Sequence, residues 1–409
     1  MSWRDSHLGK IWLSISTHGL RAGLQDAAAR WANKHLSIPE NVYRDYSWVL
    51  NEDRPAALPA SSGESLRINW LVPSVAANSG GLFNIFRAVQ VLEGRGHKQR
   101  IYTVGERTIG GEQAQESVRK HYFPIKSEVE LFNGVVDDSD VLVATSWITA
   151  YAARSVGNTA GKFYLVQDLE HLFYPPGSLA EFTKHTYQWN FYGITAGTWI
   201  AEVLQEEFGM KCSSFSFSYD RGSYSKDGNR LLPGARKRVL FYARATSARR
   251  GFELGILALY LVSKRMPETE FVLVGLPRGS VHMPFPALFL GMLPASDLAA
   301  LYRSCDVALV LSHTNLSLLP LELMACGCAV VSNSGPNVEW LLSEDVAQLA
   351  ESTPSALADA ILKLLRDEPL RSRKAEAALR FVEGTHWDSE IKAIEAAFYR
   401  GLNVSAPVA

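Results

Sequence analysis

A chain of 409 residues, 47% hydrophobic and 20% charged, is long enough for two ordinary cores and longer than one comfortably takes, so two domains are expected. Its formal net charge of -1, with acids and bases interspersed, excludes the whole-molecule field that nucleic acid or an acidic polymer would select. Four cysteines and the lack of a basic-flanked apolar leader set the expectation of a reducing cytoplasm, and no window approaches the roughly 20 apolar residues of a spanning helix.

Residues 8–36 carry Leu8, Ile11, Trp12, Ile15, Leu20, Leu24, Ala28 and Trp31 at helical spacing, with Arg21, Arg30 and Lys34 between them. The pattern predicts one or two amphipathic helices, packed on the protein's own globule in preference to a membrane surface. Pro55 to Gly63 reads as a connector. From Leu66 to Tyr219 short apolar runs alternate with helical stretches. Strands are predicted at Arg67 to Pro73, Gln99 to Val104, Val141 to Thr145, Lys162 to Val166 and Tyr192 to Thr195. Tyr219 to Lys237, rich in Gly, Ser, Asn and charge, breaks the alternation. It restarts with strands at Arg238 to Tyr242, Glu270 to Val274, Val307 to Leu311 and Ala329 to Ser332, and a last helix is predicted from Trp387 to Leu402.

Alternation of this kind is the signature of an α/β protein with doubly wound parallel sheets. The expected organisation is a helical extension and connector over 1–65, a Rossmann-like domain over 66–220, a linker over 221–237, a second Rossmann-like domain over 238–385, and a terminal helix over 386–409 crossing back toward the first domain.

Ligands of open α/β sheets bind beyond the carboxyl ends of the strands, so residues that follow strands are the candidates for chemistry. Asn78-Ser79-Gly80-Gly81 follows the first strand and opens a helix; its free N–H groups can meet a phosphate or the polar edge of a substrate, and a tight strand-to-helix turn needs the same residues. Arg244, Arg249 and Arg250 lie between a strand and the next helix, where guanidinium forks and a helix start suit a diphosphate. In the stretch Leu311 to Gly327, a polar loop leads into an apolar helix whose first turns carry Glu322, placed to accept both hydroxyls of a ribose or to act only as a favourable helix-dipole charge. Asp168, Glu170 and His171 cluster with aromatic rings at the end of a first-domain strand, an arrangement suited equally to sugar hydroxyls and to loop capping. Cys326-Gly327-Cys328 has no second Cys/His pair at zinc spacing and reads as buried small residues.

The second-domain series Phe241-Tyr242-Ala243-Arg244, Leu290-Gly291-Met292-Leu293, Leu301 to Val307, Leu321 to Gly327 and Thr385-His386-Trp387 resembles retaining glycosyltransferase family 4. The first-domain stretches Ile68 to Pro73 with Ser79-Gly80-Gly81, and Val166 to Glu170, resemble more narrowly the WsaF-type rhamnosyltransferases; together the resemblance spans Leu66 to Leu402. It implies the GT-B fold, two Rossmann-like domains facing a cleft. It implies that Arg244 and Arg250, with Arg249 as a competitor, hold the donor diphosphate, that Glu322 holds the ribose, and that Ser317 and Leu318 lie close to the phosphates. Gly80 and Gly81 would border the donor sugar and acceptor, and Ser79, Gln167, Asp168, Glu170 and His171 would line the acceptor side. In many family members a Glu lies eight positions before the match to Glu322 and contacts the donor sugar; here that position is Thr314.

The expected activity is transfer of L-rhamnose from dTDP-β-L-rhamnose to a hydroxyl of a glycan acceptor, with retention, in the synthesis of bacterial surface polysaccharide. Arginines would stabilise the leaving diphosphate. The nucleotide sugar is a co-substrate and no resident cofactor or metal is implied, since Asp137-Asp138-Ser139-Asp140 precedes a strand. Were the anomer inverted, Asp168 or Glu170 would be the base. Expected partners are the donor and a glycan acceptor, lipid-linked by analogy, with docking at the inner membrane face and beside other glycosyltransferases of the pathway as extensions of that analogy. The rivals are a sugar-nucleotide epimerase or hydrolase on the same fold and a non-catalytic carbohydrate-binding protein.

Overall fold

Short apolar runs separated by helices assemble into two wholly parallel sheets in a computed structural model that describes residues 41–60, 65–75, 79–105, 109–234, 236–276, 279 and 281–405. The helices predicted over 8–36, and Asn78 of the glycine motif, lie outside the described residues. Residues 1–52 form a unit of their own. Its described part is a one-turn helix, Val42–Tyr46, capped by the Asn41 side chain on the Arg44 N–H, and the 3-10 turn Ser47–Leu50.

The rest of the chain carries both sheets. The first contains β1 (Arg67–Val72), β2 (Lys98–Thr103), β3 (Glu128–Leu131), β4 (Ser139–Ala144), β5 (Thr159–Val166), β6 (Tyr192–Ala196) and β7 (Cys212–Phe215) in the order 3-2-1-4-5-6-7. The second contains β8 (Arg238–Tyr242), β9 (Glu270–Val274), β10 (Ala287–Gly291), β11 (Val307–Val310), β12 (Ala329–Asn333) and β13 (Gln348–Ala350) in the order 10-9-8-11-12-13. Central strands such as β4 and β11 are buried on both faces, which is why they read as continuous apolar runs.

Strand order reverses between β1 and β4 in the first sheet and between β8 and β11 in the second, and each reversal opens a crevice at the carboxyl ends of those strands. The Ser79-Gly80-Gly81 turn follows β1; the arginine loop follows β8, and the Ser312–Leu318 loop follows its neighbour β11. No helix or strand occurs among the described residues between β7 and β8.

The last helix, Trp387–Gly401, packs its apolar stripe on the first sheet. The Phe398 ring meets Trp70 at 6.1 Å and Phe163 at 5.3 Å, both edge-on, and Glu395 pairs with Arg95 and His97 at the helix's other flank. Among the described residues no helix is long and apolar enough to cross a membrane.

Candidate active site

The glycine turn is built around Gln167, the first residue after β5. Its Nε2 donates to the Gly81 carbonyl at 3.0 Å, and its Oε1 accepts from Asn84 Nδ2 at 2.9 Å. A Cβ on Gly81 would stand 3.4 Å from that amide, so the close approach favours glycine there, whereas a Cβ on Gly80 would meet nothing within 4 Å. Ser79 caps the helix Gly80–Gly94 and its own N–H donates to the Tyr122 hydroxyl.

Asp168 is turned toward the second sheet. Its Oδ2 accepts from Thr314 Oγ1 at 3.0 Å, and its Oδ1 accepts from the Asn315 N–H and the Leu169 N–H at 2.9 Å each. Arg249 Nε lies 3.4 Å from Oδ2. Burial pushes the Asp168 carboxyl up, and Arg250, the Asn315 N–H, Arg249 and Thr314 pull it back down. Thr314, 2% exposed, is thus engaged with the opposite domain through Asp168.

Asn315, fully buried, extends the same contact. Its Nδ2 donates to the carbonyls of Gln167 at 2.9 Å and Ala196 at 2.8 Å, the ends of β5 and β6, and its Oδ1 accepts from Trp340 Nε1 at 2.9 Å. The Trp340 indole lies over Gly197, where φ is +99° and a Cβ would stand 2.7 Å from the ring; only glycine fits there without strain. Arg250 completes the loop from below: its Nη1 donates to Ser312 Oγ at 2.8 Å and to the Asn315 carbonyl at 2.9 Å. Burial pulls the Arg250 guanidinium down to about 10, with Asp168 opposing, so it stays charged at neutral pH.

The three arginines therefore differ. Arg250 braces the 312–315 loop. Arg249 lies over the Phe173 ring at 4.0 Å, and Arg244 is exposed with its guanidinium 5.1 Å from the Tyr242 ring centre. Ser317 and Leu318 are half-buried at the start of the helix Leu319–Ala325. That helix carries Glu322, whose carboxylate takes a hydrogen bond from the Tyr224 hydroxyl; burial pushes it up to about 7, against the pull of Tyr224 and Arg244 and with a further push from Asp220.

Glu170 stands apart from this cluster. Its Oε2 accepts from the Trp147 N–H at 2.6 Å, at the start of the helix Trp147–Arg154, and from the Tyr164 hydroxyl at 2.8 Å. Burial pushes it up to about 7 against those two bonds. His171 packs edge-on against Tyr187 and Phe208, and burial with Lys184 nearby pulls its pKa down.

Since Glu170 holds its proton longer in the folded than in the unfolded chain, it destabilises the fold increasingly as pH rises from about 4.5 to about 7. Glu170→Gln keeps an oxygen for Trp147 and Tyr164. It is expected to remove that share of the pH dependence and to raise stability at pH 8 by roughly 1–3 kcal/mol. Urea unfolding at pH 5 and pH 8 measures this. Unchanged stability at both pH values would count against it.

Asn315, Trp340, Tyr224 and Asp220 join the site without having been singled out in the sequence. Asn315 sits within a stretch that does stand out, after a strand. Tyr224 and Asp220 lie in a segment whose Gly and Ser content reads only as a linker. Among the described residues no three His, Cys, Asp or Glu side chains converge as a metal site.

Comparison with known proteins agrees with this architecture. The family described as the WsaF C-terminal domain matches residues 237–362. The O-antigen biosynthesis protein RfbC of Myxococcus xanthus is 30% identical over 389 residues, covering 92% of this chain and 30% of RfbC, so the chain spans under a third of that relative. A glycosyltransferase from Rickettsia africae superposes with a TM-score of 0.63 at 15% identity, covering 84% of this chain and 100% of that one. HepE of Anabaena, solved with UDP and glucose, superposes with a TM-score of 0.60 at 15% identity, covering 81% and 98%. At such identities the two structures speak for the fold alone. The chain has the GT-B fold, and over residues 237–362 it is similar to the WsaF C-terminal domain family.

Proposed function

We propose that the chain is a glycosyltransferase of polysaccharide or O-antigen synthesis that binds a nucleotide sugar on its second domain and transfers the sugar to a glycan hydroxyl. The observation that carries this reading is the pairing of Arg244 and Arg249 after β8 with Glu322 on the helix after β11, neighbouring strands at a switch point. Two cations suit a diphosphate and a carboxylate suits a ribose. Similarity to RfbC over 92% of the chain and the match to the WsaF C-terminal domain support the reaction class.

In this reading the donor is dTDP-β-L-rhamnose, a choice that rests on the WsaF-type resemblance, and the sugar is transferred with retention. A donor phosphate oxygen takes the acceptor proton as the hydroxyl attacks on the face from which the diphosphate departs. Arg244 and Arg249 stabilise the charge that develops on the leaving group. No base is needed, which agrees with Glu170 being engaged at a helix start and Asp168 with the 312–315 loop. The nucleotide sugar is the co-substrate, with no resident cofactor. Gly80 and Gly81 border the donor sugar and the acceptor, and Ser79 the acceptor side.

Thermal unfolding with dTDP, UDP, GDP or ADP tests the donor. A nucleotide at about 100 times its dissociation constant adds roughly 2.7 kcal/mol. Selective stabilisation by dTDP is the expected result. Preference for another nucleotide overturns the rhamnose donor, and no response to any overturns the donor site itself.

A further inference from the structure

Asp168 is satisfied before any arginine is counted. One oxygen accepts from two backbone N–H groups, of Asn315 and Leu169, and the other accepts from the Thr314 hydroxyl, at 2.9–3.0 Å throughout. Arg249 is not satisfied in return. Its Nε is buried and makes no hydrogen bond, lying 3.4 Å from Oδ2 in a contact of charge alone, while the guanidinium plane rests on Phe173. The carboxylate is therefore the anchored partner and the arginine the loosely held one. Arg250, two bonds deep in the 312–315 loop, cannot move without undoing that loop.

We propose that Asp168 is a built-in competitor of the donor diphosphate: it holds Arg249 by charge, and an arriving diphosphate takes that arginine over while Asp168 stays fixed on Thr314 and Asn315. The exchange leaves no orphan on Asp168, whose three donors remain, and gives the buried Arg249 Nε the hydrogen bond it lacks. It makes Asp168 a positioning residue from the first domain that sets the affinity of an anion bound by the second. Coupling of this kind is reciprocal, so a bound diphosphate equally loosens Asp168 from its cation. The inference rests on the donor-site reading above.

Calorimetric binding of inorganic pyrophosphate and of dTDP to the full chain tests it. Asp168→Asn keeps an oxygen for the two backbone donors and removes the charge. It is expected to bind both ligands about fivefold tighter or more, a gain in line with a coupling of roughly 1 kcal/mol. Arg249→Gln is expected to bind them about tenfold weaker, and the gain from Asp168→Asn must vanish in the double variant. A gain that persists without Arg249 is bare repulsion between carboxylate and phosphate and overturns the proposal, as does unchanged or weaker binding in Asp168→Asn. If wild type binds neither ligand, the donor-site reading falls and the inference with it; if wild type binds and the variant gains nothing, only the inference falls. A wild-type measurement guards against a variant that fails to fold: the Arg249 Nε–H resonance, assigned by its loss in Arg249→Gln, must shift on saturation with pyrophosphate. A resonance that stays put while heat of binding is recorded overturns the proposal.

Discussion

Glu322→Ala is expected to lower kcat/KM for the nucleotide-sugar donor about a hundredfold, most of it as a rise in donor KM. A carboxylate that accepts two hydroxyls makes two charge-assisted hydrogen bonds, each worth about 1.5–3 kcal/mol, and a ribose lies remote from the bond being broken. Its contribution is thus nearly the same in the ground and transition states, which moves KM more than kcat. The pH dependence gives a second reading. Burial holds the Glu322 carboxyl up to about 7, and in the proposed donor site only its ionised form would accept both ribose hydroxyls. Donor KM is expected to rise as pH falls below about 7, and to lose that dependence in Glu322→Gln. Initial rates between pH 5.5 and 8.5 measure both effects. An alanine variant with wild-type donor KM would mean that Glu322 only balances the dipole of its short helix and bonds Tyr224.

Sequence pattern located the central strands because most carry an uninterrupted buried apolar stretch, as Val141 to Ala144 and Val307 to Val310 do, and even β2, which begins Lys98-Gln99-Arg100, ends in the buried Ile101-Tyr102-Thr103. The strands it missed are the four sheet edges, β3, β7, β10 and β13. Glu128-Val129-Glu130-Leu131 alternates charge with aliphatics, Cys212-Ser213-Ser214-Phe215 is half polar, and Gln348-Leu349-Ala350 is only three residues long. An edge strand has a neighbour on one side only, so the composition of these three drifts toward that of a loop; β10, Ala287-Leu288-Phe289-Leu290-Gly291, is apolar throughout and has no such account. The same limit applies at the site. Rules for loops after strands found the arginine loop and the Asp168 cluster, because chain position determines which loops reach the crevice. Which side chains remain open to a ligand depends on contacts 146 to 148 residues apart, between 167–168 and 314–315, and no local pattern carries that information. Arg250 shows the consequence: adjacent to Arg249 and identical in type, it is bound to Ser312 and Asn315 while its neighbour is not.

The interdomain contact makes Asn315→Leu the substitution with the largest expected cost in stability. Leucine has asparagine's branched shape, with bulkier methyl groups at the two tips, but offers no polar atom, so the Gln167 and Ala196 carbonyls and the Trp340 indole N–H all lose their partner at once. Each buried group left unsatisfied costs about 1–3 kcal/mol, which sums over the three to about 3–9 kcal/mol if the domains stay together. Should the domains instead part to let water reach those groups, the cost falls, and the Trp340 indole leaves its place over Gly197 and beside Phe217. Denaturant unfolding followed by tryptophan fluorescence separates the two cases: a lower midpoint with one transition means the domains unfold together, and an early red shift ahead of the main transition means they separate first. Trp340→Phe keeps a ring over Gly197 and leaves only the Asn315 oxygen unpaired, and is expected to cost less, about 1–2 kcal/mol. A leucine variant within about 1 kcal/mol of wild type, with unshifted emission, would show that the 312–315 loop does not fasten the two domains. The anchoring of Asp168 by Thr314 and Asn315 would then also need another explanation, because the same loop supplies both sets of donors.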